Sequence, residues 1–319
     1  MANKTSLSEY LAIFADRDSR VFLQERMLSI LITTKDYDCR QLVHELHRQG
    51  EALALPFEIL VGEDGTSAAN LQKNITIEEL QFCRRIIREK NVGRANMRNI
   101  LGIEAKYPYL LFIDSDAVIE KPDFLACYID AARDYEVVCG GLYHADTLKD
   151  KECTLRYKYE KRADKRRDAV TRNQKPYDCF STFNFLIRRE LFLSIFFNSN
   201  ITKYGYEDTL FGKELERRGS TIIHIENRLL HNGLESNEVY MHKIEQSIST
   251  LVSIEKELGP TPLLRTAHRL RRWHMAWFFT AAWKACNRLI TKNLYGKHPS
   301  LTLFNIHKLG LYFSIKRRA

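Results

Sequence analysis

Five apolar residues, Tyr109-Leu110-Leu111-Phe112-Ile113, run unbroken into Asp114-Ser115-Asp116. A run of this kind, with no polar partner, reads as a strand buried on both faces. It stops at two carboxylates one residue apart, and charged side chains rarely finish a buried strand for packing reasons alone. In an open α/β sheet, ligands sit beyond the carboxyl ends of the strands. Paired carboxylates placed there, together with substrate phosphates, are a usual way to hold Mg²⁺ or Mn²⁺. The segment points to a metal-assisted site for a phosphorylated compound; a helix cap beside a solvated turn is the plainer alternative.

The flanking sequence alternates in the same sense. Ser29–Thr34 and Phe57–Gly62 read as strands, the first ending in hydroxyls and the second running into Glu63-Asp64-Gly65-Thr66-Ser67. Arg40–Gln49 reads as a helix, Thr76–Glu89 as a helical pattern leading into a possible strand at Arg84–Arg88, and Asn91–Gly102 as a turn that becomes a helix. Strands alternating with helices predict a doubly wound, mostly parallel sheet with three strand ends on one rim. Three regions are expected: a helical extension over 1–26, a catalytic domain over 27–258, and a basic, aromatic helical region over 259–319 that follows Gly259-Pro260-Thr261-Pro262.

Composition narrows the class. The 319 residues are 45% hydrophobic and 28% charged, as in an ordinary globular protein. No apolar run approaches the roughly 18–20 residues needed to span a bilayer, and no signal-peptide pattern is evident. Seven scattered cysteines without a C-x-x-C pair argue against a disulfide framework or a zinc site, so a reducing cytoplasm fits. The net charge of +9 is concentrated in Lys151–Lys175 and in Arg265–Arg318. Either run reads as a solvated helix face or as attraction to phosphate or an anionic membrane surface. In the second, Trp273, Trp277, Phe278, Phe279 and Trp283 interleave with the basic residues, which suits a helix lying in a membrane interface or one packed on the catalytic domain. No recognised nucleic-acid motif accompanies the charge, so nucleic acid is not an expected partner.

The order of these motifs resembles family 2 glycosyltransferases, which have the GT-A nucleotide-sugar-binding fold. The resemblance runs from Thr33-Thr34 through Glu63-Asp64-Gly65, Asn91–Asn99 and Asp114-Ser115-Asp116. It continues at Phe183–Phe192 and Tyr204-Gly205-Tyr206-Glu207-Asp208, and closes at His231-Asn232-Gly233. It implies a GT-A fold (Rossmann-like, mostly parallel central sheet flanked by helices) with the basic helical extension behind it. It further implies that Thr33 and Asp64 meet the donor base, that Asp114 lies on the ribose side, and that Asp116 and His231 hold Mn²⁺ or Mg²⁺. Imidazole beside carboxylate suits Mn²⁺ better. Asp208 is implied as the general base and Glu207 as an acceptor-orienting group, although either acid could also cap the helix that follows.

Arg94 and Arg98, at a helix start, are placed to meet phosphate, or are plain surface arginines. Asn184 reads as a wall of the sugar pocket or a structural amide, and Glu235 as a possible substrate contact. Arg156, Tyr157, Tyr159 and Arg162 face an anionic acceptor or simply solvent. The implied activity is inverting, metal-dependent transfer from a nucleotide sugar, a UDP-sugar foremost, to a glycan or lipid-linked glycan hydroxyl in surface polysaccharide assembly. The enzyme would be cytoplasmic or peripheral at the inner face of the plasma membrane. Two alternatives are a non-catalytic sugar-nucleotide-binding assembly protein and a D-x-D phosphoryl-transfer enzyme. Val118, where the latter class carries Thr, speaks against it.

Overall fold

Alternate residues of each central strand belong to two different cores, and this dictates the layering. The computed structural model describes residues 27–148 and 150–317, so the expected N-terminal extension lies outside the described residues. Strands β1 (Leu28–Thr34), β2 (Phe57–Asp64), β3 (Cys83–Arg88) and β4 (Tyr109–Asp114) are interleaved with helices α1 (Arg40–Ala52), α2 (Ala68–Lys73) and α3 (Arg94–Glu104). Two short strands, β5 (Ala117–Val118) and β6 (Val137–Cys139), flank α4 (Phe124–Ala131). Ile30, Ile32, Leu111 and Ile113 point into one core with Leu42 and Leu46 of α1 and Phe124 of α4. Leu31, Leu110 and Phe112 point the other way, onto Met97 and Leu101 of α3. A sheet covered on both faces follows, which is why Tyr109–Ile113 reads as an unbroken apolar run, with Ile30–Ile32 and Ile59–Val61 as shorter ones beside it.

The chain continues through β7 (Leu142–Tyr143), α5 (Thr154–Asp164), α6 (Ala169–Asn173), β8 (Asn184–Arg188), α7 (Arg189–Ile195), α8 (Glu207–Arg218), β9 (Ile222–His224) and β10 (Leu229–His231). The main sheet has the order β3-β2-β1-β4-β8-β6-β9. Only β8 runs against its neighbours β4 and β6; the other pairs are parallel. The order reverses at β1, which lies between β2 and β4, and such a switch point opens a crevice beyond the strand ends. Thr33 is in register with Asp114 across it. The possible strand at Arg84–Arg88 is realised as β3, paired with β2.

A second, three-stranded sheet, β5-β10-β7, sits above that rim. Its register sets His231 opposite Ala117, and Asn232 donates its N–H to the Asp116 carbonyl at 3.0 Å. This pairing brings His231 to the D-x-D turn from far along the chain.

The last four helices, α9 (Asn237–Leu258), α10 (Pro262–Arg272), α11 (Ala276–Tyr295) and α12 (Leu301–Lys316), build a third core. Tyr240, Ile248 and Leu251 of α9 share it with Leu264, Trp283, Ile290, Phe304 and Tyr312. The region beginning at residue 259 therefore packs on α9, while Trp273, Trp277 and Phe278 stay exposed. Among the described residues, no helix is long and apolar enough to cross a membrane.

Candidate active site

Beyond the carboxyl ends of β1, β2 and β4 opens a cleft of about 510 Å³, bordered by Thr33, Asp64, Arg94, Asp114, Asp116, Tyr204 and Glu207. An adjoining cavity of about 320 Å³ shares Arg94, Asp114, Asp116, Tyr204 and Glu207 with it and adds Asp208, His231, Arg156 and Glu160. Asp116 and Asp208, well separated in the catalytic segment, thus line one cavity.

The metal-binding expectation rests on Asp116 and His231. Asp116 Oδ2 lies 3.1 Å from His231 Nε2. An octahedral ion with bonds of about 2.1 Å keeps adjacent donors about 3.0 Å apart, so the two atoms are spaced as neighbouring ligands would be. A Cβ at Gly233 would overlap the Asp116 carboxylate, so only glycine lets the chain pass this close. Burial alone would raise the Asp116 pKa. The His231 hydrogen bond and charge, with Arg94 and Arg156, outweigh burial and hold it below the ordinary carboxylate range. Carboxylate plus imidazole is a donor set that Mn²⁺ accepts readily.

Behind His231 stands a network that the sequence reading does not anticipate. His231 Nδ1 meets His144 Nε2 at 3.0 Å, and His144 Nδ1 meets Asp164 at 3.0 Å. Burial opposes a charge on His144, yet the Asp164 and Glu160 carboxylates prevail and raise its pKa. His144, Glu160 and His231 bring ligand atoms within 4.8 Å of one another, but His144 and Glu160 already satisfy each other at 3.0 Å. Arg156 bridges Glu160 at 3.0 Å and Glu235 at 2.8 Å, with Nη2 3.4 Å from His231 Nε2. A signal for it exists in the sequence: Arg156, Glu160 and Asp164 recur every four residues and share one face of α5. The basic stretch 151–175 therefore divides: Arg156 and Arg167 join this internal ion-pair network and Arg172 is buried against the carbonyls of Cys139, Gly140 and Ile225, while Lys151, Arg162, Lys165, Arg166 and Lys175 stay exposed.

Two of the expected donor contacts are placed otherwise. Arg98 is 1% exposed and holds Asp114 at 2.7 Å and Glu207 at 3.8 Å, so its guanidinium ties the two acidic walls together instead of facing phosphate. Arg94 keeps the open position: it lies 3.8 Å from Asp114, is half exposed and borders both cavities. Asn184 is also removed from the cleft. It is buried, accepts from the Tyr128 hydroxyl at 2.9 Å and donates to the Gly141 carbonyl at 2.9 Å, which makes it a brace between β8 and the turn after β6. Asp64 borders the cleft, and its two oxygens accept the backbone N–H groups of Val92 at 2.7 Å and Gly93 at 3.0 Å. Each oxygen keeps a further lone pair.

Glu207 and Asp208 open α8 after a constrained turn. Gly205 has φ +102° and Tyr206 φ +67°, two successive positive-φ residues that swing the chain into the helix. A Cβ at Gly205 would come within 2.5 Å of Ser247 Oγ. Tyr206 occupies the capping position and neither acid caps from it; Asp208 Oδ1 accepts the N–H of Thr209 at 2.7 Å. Burial first, and the Glu207 charge second, push the Asp208 carboxyl up to about 6. One Glu207 oxygen is buried without a hydrogen-bond partner. A carboxylate with a raised pKa beside an unsatisfied one, facing a polar cleft, is equipped to accept a proton.

Residues 29–196 match the model of glycosyl transferase family 2. Among solved structures, the mannosyltransferase PcManGT from Pyrobaculum calidifontis, in complex with GDP-Man and Mn²⁺, is 12% identical with a TM-score of 0.54 over 96% of this chain and 93% of its own. A mycobacterial protein is 13% identical, with a TM-score of 0.51 over 76% and 78%. S. aureus TarS 1-349, in complex with UDP-GlcNAc, is 16% identical with a TM-score of 0.46 over 91% and 90%. No curated protein sequence matches the chain. With the family model covering more than half its length and a doubly wound sheet of GT-A type beneath the cleft, the chain belongs to glycosyl transferase family 2 and is a glycosyltransferase.

Proposed function

We propose that this glycosyltransferase is metal-dependent and inverting, and that it moves a sugar from a nucleoside diphosphate donor to a hydroxyl of a glycan or lipid-linked glycan. Surface polysaccharide assembly is the setting that such an acceptor suggests. One observation carries the reading: Asp114, Asp116 and His231 share a cavity with Glu207 and Asp208. Charge-stabilising groups for a leaving group and a base for an incoming alcohol then face one space.

Thr33 and Asp64 border the base end of the cleft, with Asp114 on the ribose side. Arg94, which borders both cavities, would meet the diphosphate. Asp116 and His231 would hold a divalent ion, Mn²⁺ before Mg²⁺, and such an ion supplies Lewis-acid stabilisation of the departing nucleoside diphosphate. Asp208 takes the proton of the acceptor hydroxyl as its oxygen bonds to the anomeric carbon and the bond to the diphosphate breaks. Attack from the face opposite the leaving group inverts the anomeric centre. Glu207 orients the acceptor, itself held by Arg98. The fold match to a mannosyltransferase seen with GDP-Man and Mn²⁺ supports a nucleotide-sugar donor and a divalent ion.

The test is a panel of UDP-, GDP- and dTDP-sugars, scored first for Mn²⁺-dependent thermal stabilisation and then for donor turnover. Turnover by the native protein with Mn²⁺, and its loss in Asp208→Asn, is the expected result. Metal-dependent nucleotide binding with no turnover by the native protein on any donor would overturn the catalytic reading.

A further inference from the structure

The net positive charge of the chain comes from its last segment. Residues 259–319 contain 12 of the 49 Lys and Arg and none of the 40 Asp and Glu, which leaves the preceding 258 residues with a net charge of −3. Within this unit, apolar side chains divide into two sets. Trp283, Ile290 and Leu294 of α11 turn inward and are buried. Trp273, Met275, Trp277 and Phe278 gather at the α10–α11 turn and stay exposed, Trp277 by 73%. Trp277 and Phe278 pack edge to face on each other, with ring centroids 5.9 Å apart.

The exposed set continues along α11. Phe278, Ala282, Ala285 and Leu289 recur at the helical period and all face outward, Leu289 being 72% exposed. Lys284, Arg288 and Lys292 run along one flank of this stripe, and Arg269 and Arg272 precede the aromatic turn, all of them exposed. The inward face of α11 joins the terminal core, and among the described residues the outward stripe is left exposed. An apolar stripe with Trp and Phe at one end, bordered by cations that have no acidic partner among the described residues, matches a bilayer surface with anionic headgroups: the rings enter the acyl boundary and the cations meet the phosphates.

We infer that α11 and the α10–α11 turn dock this protein on an anionic phospholipid surface, with α11 lying in the plane of the interface. The reading stands apart from sugar transfer, since none of these residues borders the cleft. It gives the cleft a location, because the docking unit abuts the cavity wall. Lys158 of α5 donates to the Pro299 carbonyl at 3.0 Å, and α5 supplies Arg156 and Glu160 to the cavity.

Sedimentation of the full chain with vesicles of phosphatidylcholine alone, and with about one third phosphatidylglycerol, tests this. Binding is expected only to the anionic vesicles, with a blue shift of tryptophan emission and loss in high salt. Trp277→Ser combined with Phe278→Ser should weaken it about tenfold or more, and Lys284→Glu combined with Arg288→Glu should do likewise. Both pairs are exposed, so an unchanged melting temperature is expected in each. Three results would overturn the inference: no binding to anionic vesicles, equal binding by the aromatic double variant, or vesicle-independent self-association or DNA binding that these substitutions abolish instead.

Discussion

Replacing Asp208 by Asn should make the protein inactive and more stable at once. The amide keeps the shape of the side chain and an oxygen for the Thr209 N–H, but it neither ionises nor accepts the acceptor proton. In the folded protein the carboxyl sits at about 6 against an ordinary 3.8, raised by burial and by Glu207. A tenfold change in a proton-binding constant corresponds to about 1.4 kcal/mol, so ionised Asp208 costs the fold up to about 3 kcal/mol. Because the folded value lies above the unfolded one, the cost is absent below about pH 4, grows between about 4 and 6, and is complete above about 6. At about 2 °C per kcal/mol for a chain of this size, the variant should melt up to about 6 °C higher than the native protein at about pH 8 and level with it at about pH 4. Donor transfer should fall about 10²–10⁴-fold, the range for loss of a general base. Native activity should decline as pH falls through about 6. Melting curves at the two pH values, alongside initial rates, make the check. A variant that melts no higher under the alkaline condition, or one whose advantage persists under the acidic one, would refute the claim that Asp208 is held in a charge-hostile site.

Further expectations concern the cleft walls. Asp116→Ala and His231→Ala should each abolish Mn²⁺-dependent thermal stabilisation while leaving the melting temperature without metal within a few degrees; retained stabilisation in both would remove them as ligands. Arg98→Met removes the cation that pairs with Glu207 and leaves Asp114 only the longer contact to Arg94, and should destabilise by about 3–5 kcal/mol in urea titration; a loss under about 1 kcal/mol would mean the bridge is not holding the walls. Gly205→Ala forces a Cβ onto Ser247 at φ +102° and should cost about 1–3 kcal/mol, together with a fall in kcat as Asp208 moves.

What can be read from the sequence depends on the scale of the signal. The strands that end in Thr33, Asp64 and Asp114 are legible because burial on both faces leaves apolar runs, unbroken over Tyr109–Ile113 and shorter in the other two, and the chain has to end each run where the rim begins. The meeting of Asp116 with His231 is reached through family resemblance alone. It depends on β5 and β10, two and three residues long, too short to leave a periodic pattern. Arg98 is misplaced by sequence reasoning because one cation on a helix does not reveal which way it points, and here it finds two carboxylates inside the protein. Asn184 looks like a pocket wall because nothing in Phe183-Asn184-Phe185 discloses the Tyr128 hydroxyl waiting opposite. The basic run 151–175 is a surface at Lys151, Arg162, Lys165, Arg166 and Lys175, but its sequence does not disclose that Arg156 and Arg167 turn inward onto Glu160 and Asp164.

The core joining α9 to α10–α12 bears on how a smaller active fragment would be sought. α9 offers the cavity Tyr240, Ile244 and Ser247, and its other faces rest on Phe304, Leu309 and Tyr312. Trimming the chain after Leu258 would strip the backing from the very helix that lines the cavity, and that wall would sag into the opening it shapes. The terminal helices are thus a keel: detach them and the vessel loses its trim, even though nothing they carry touches the cargo.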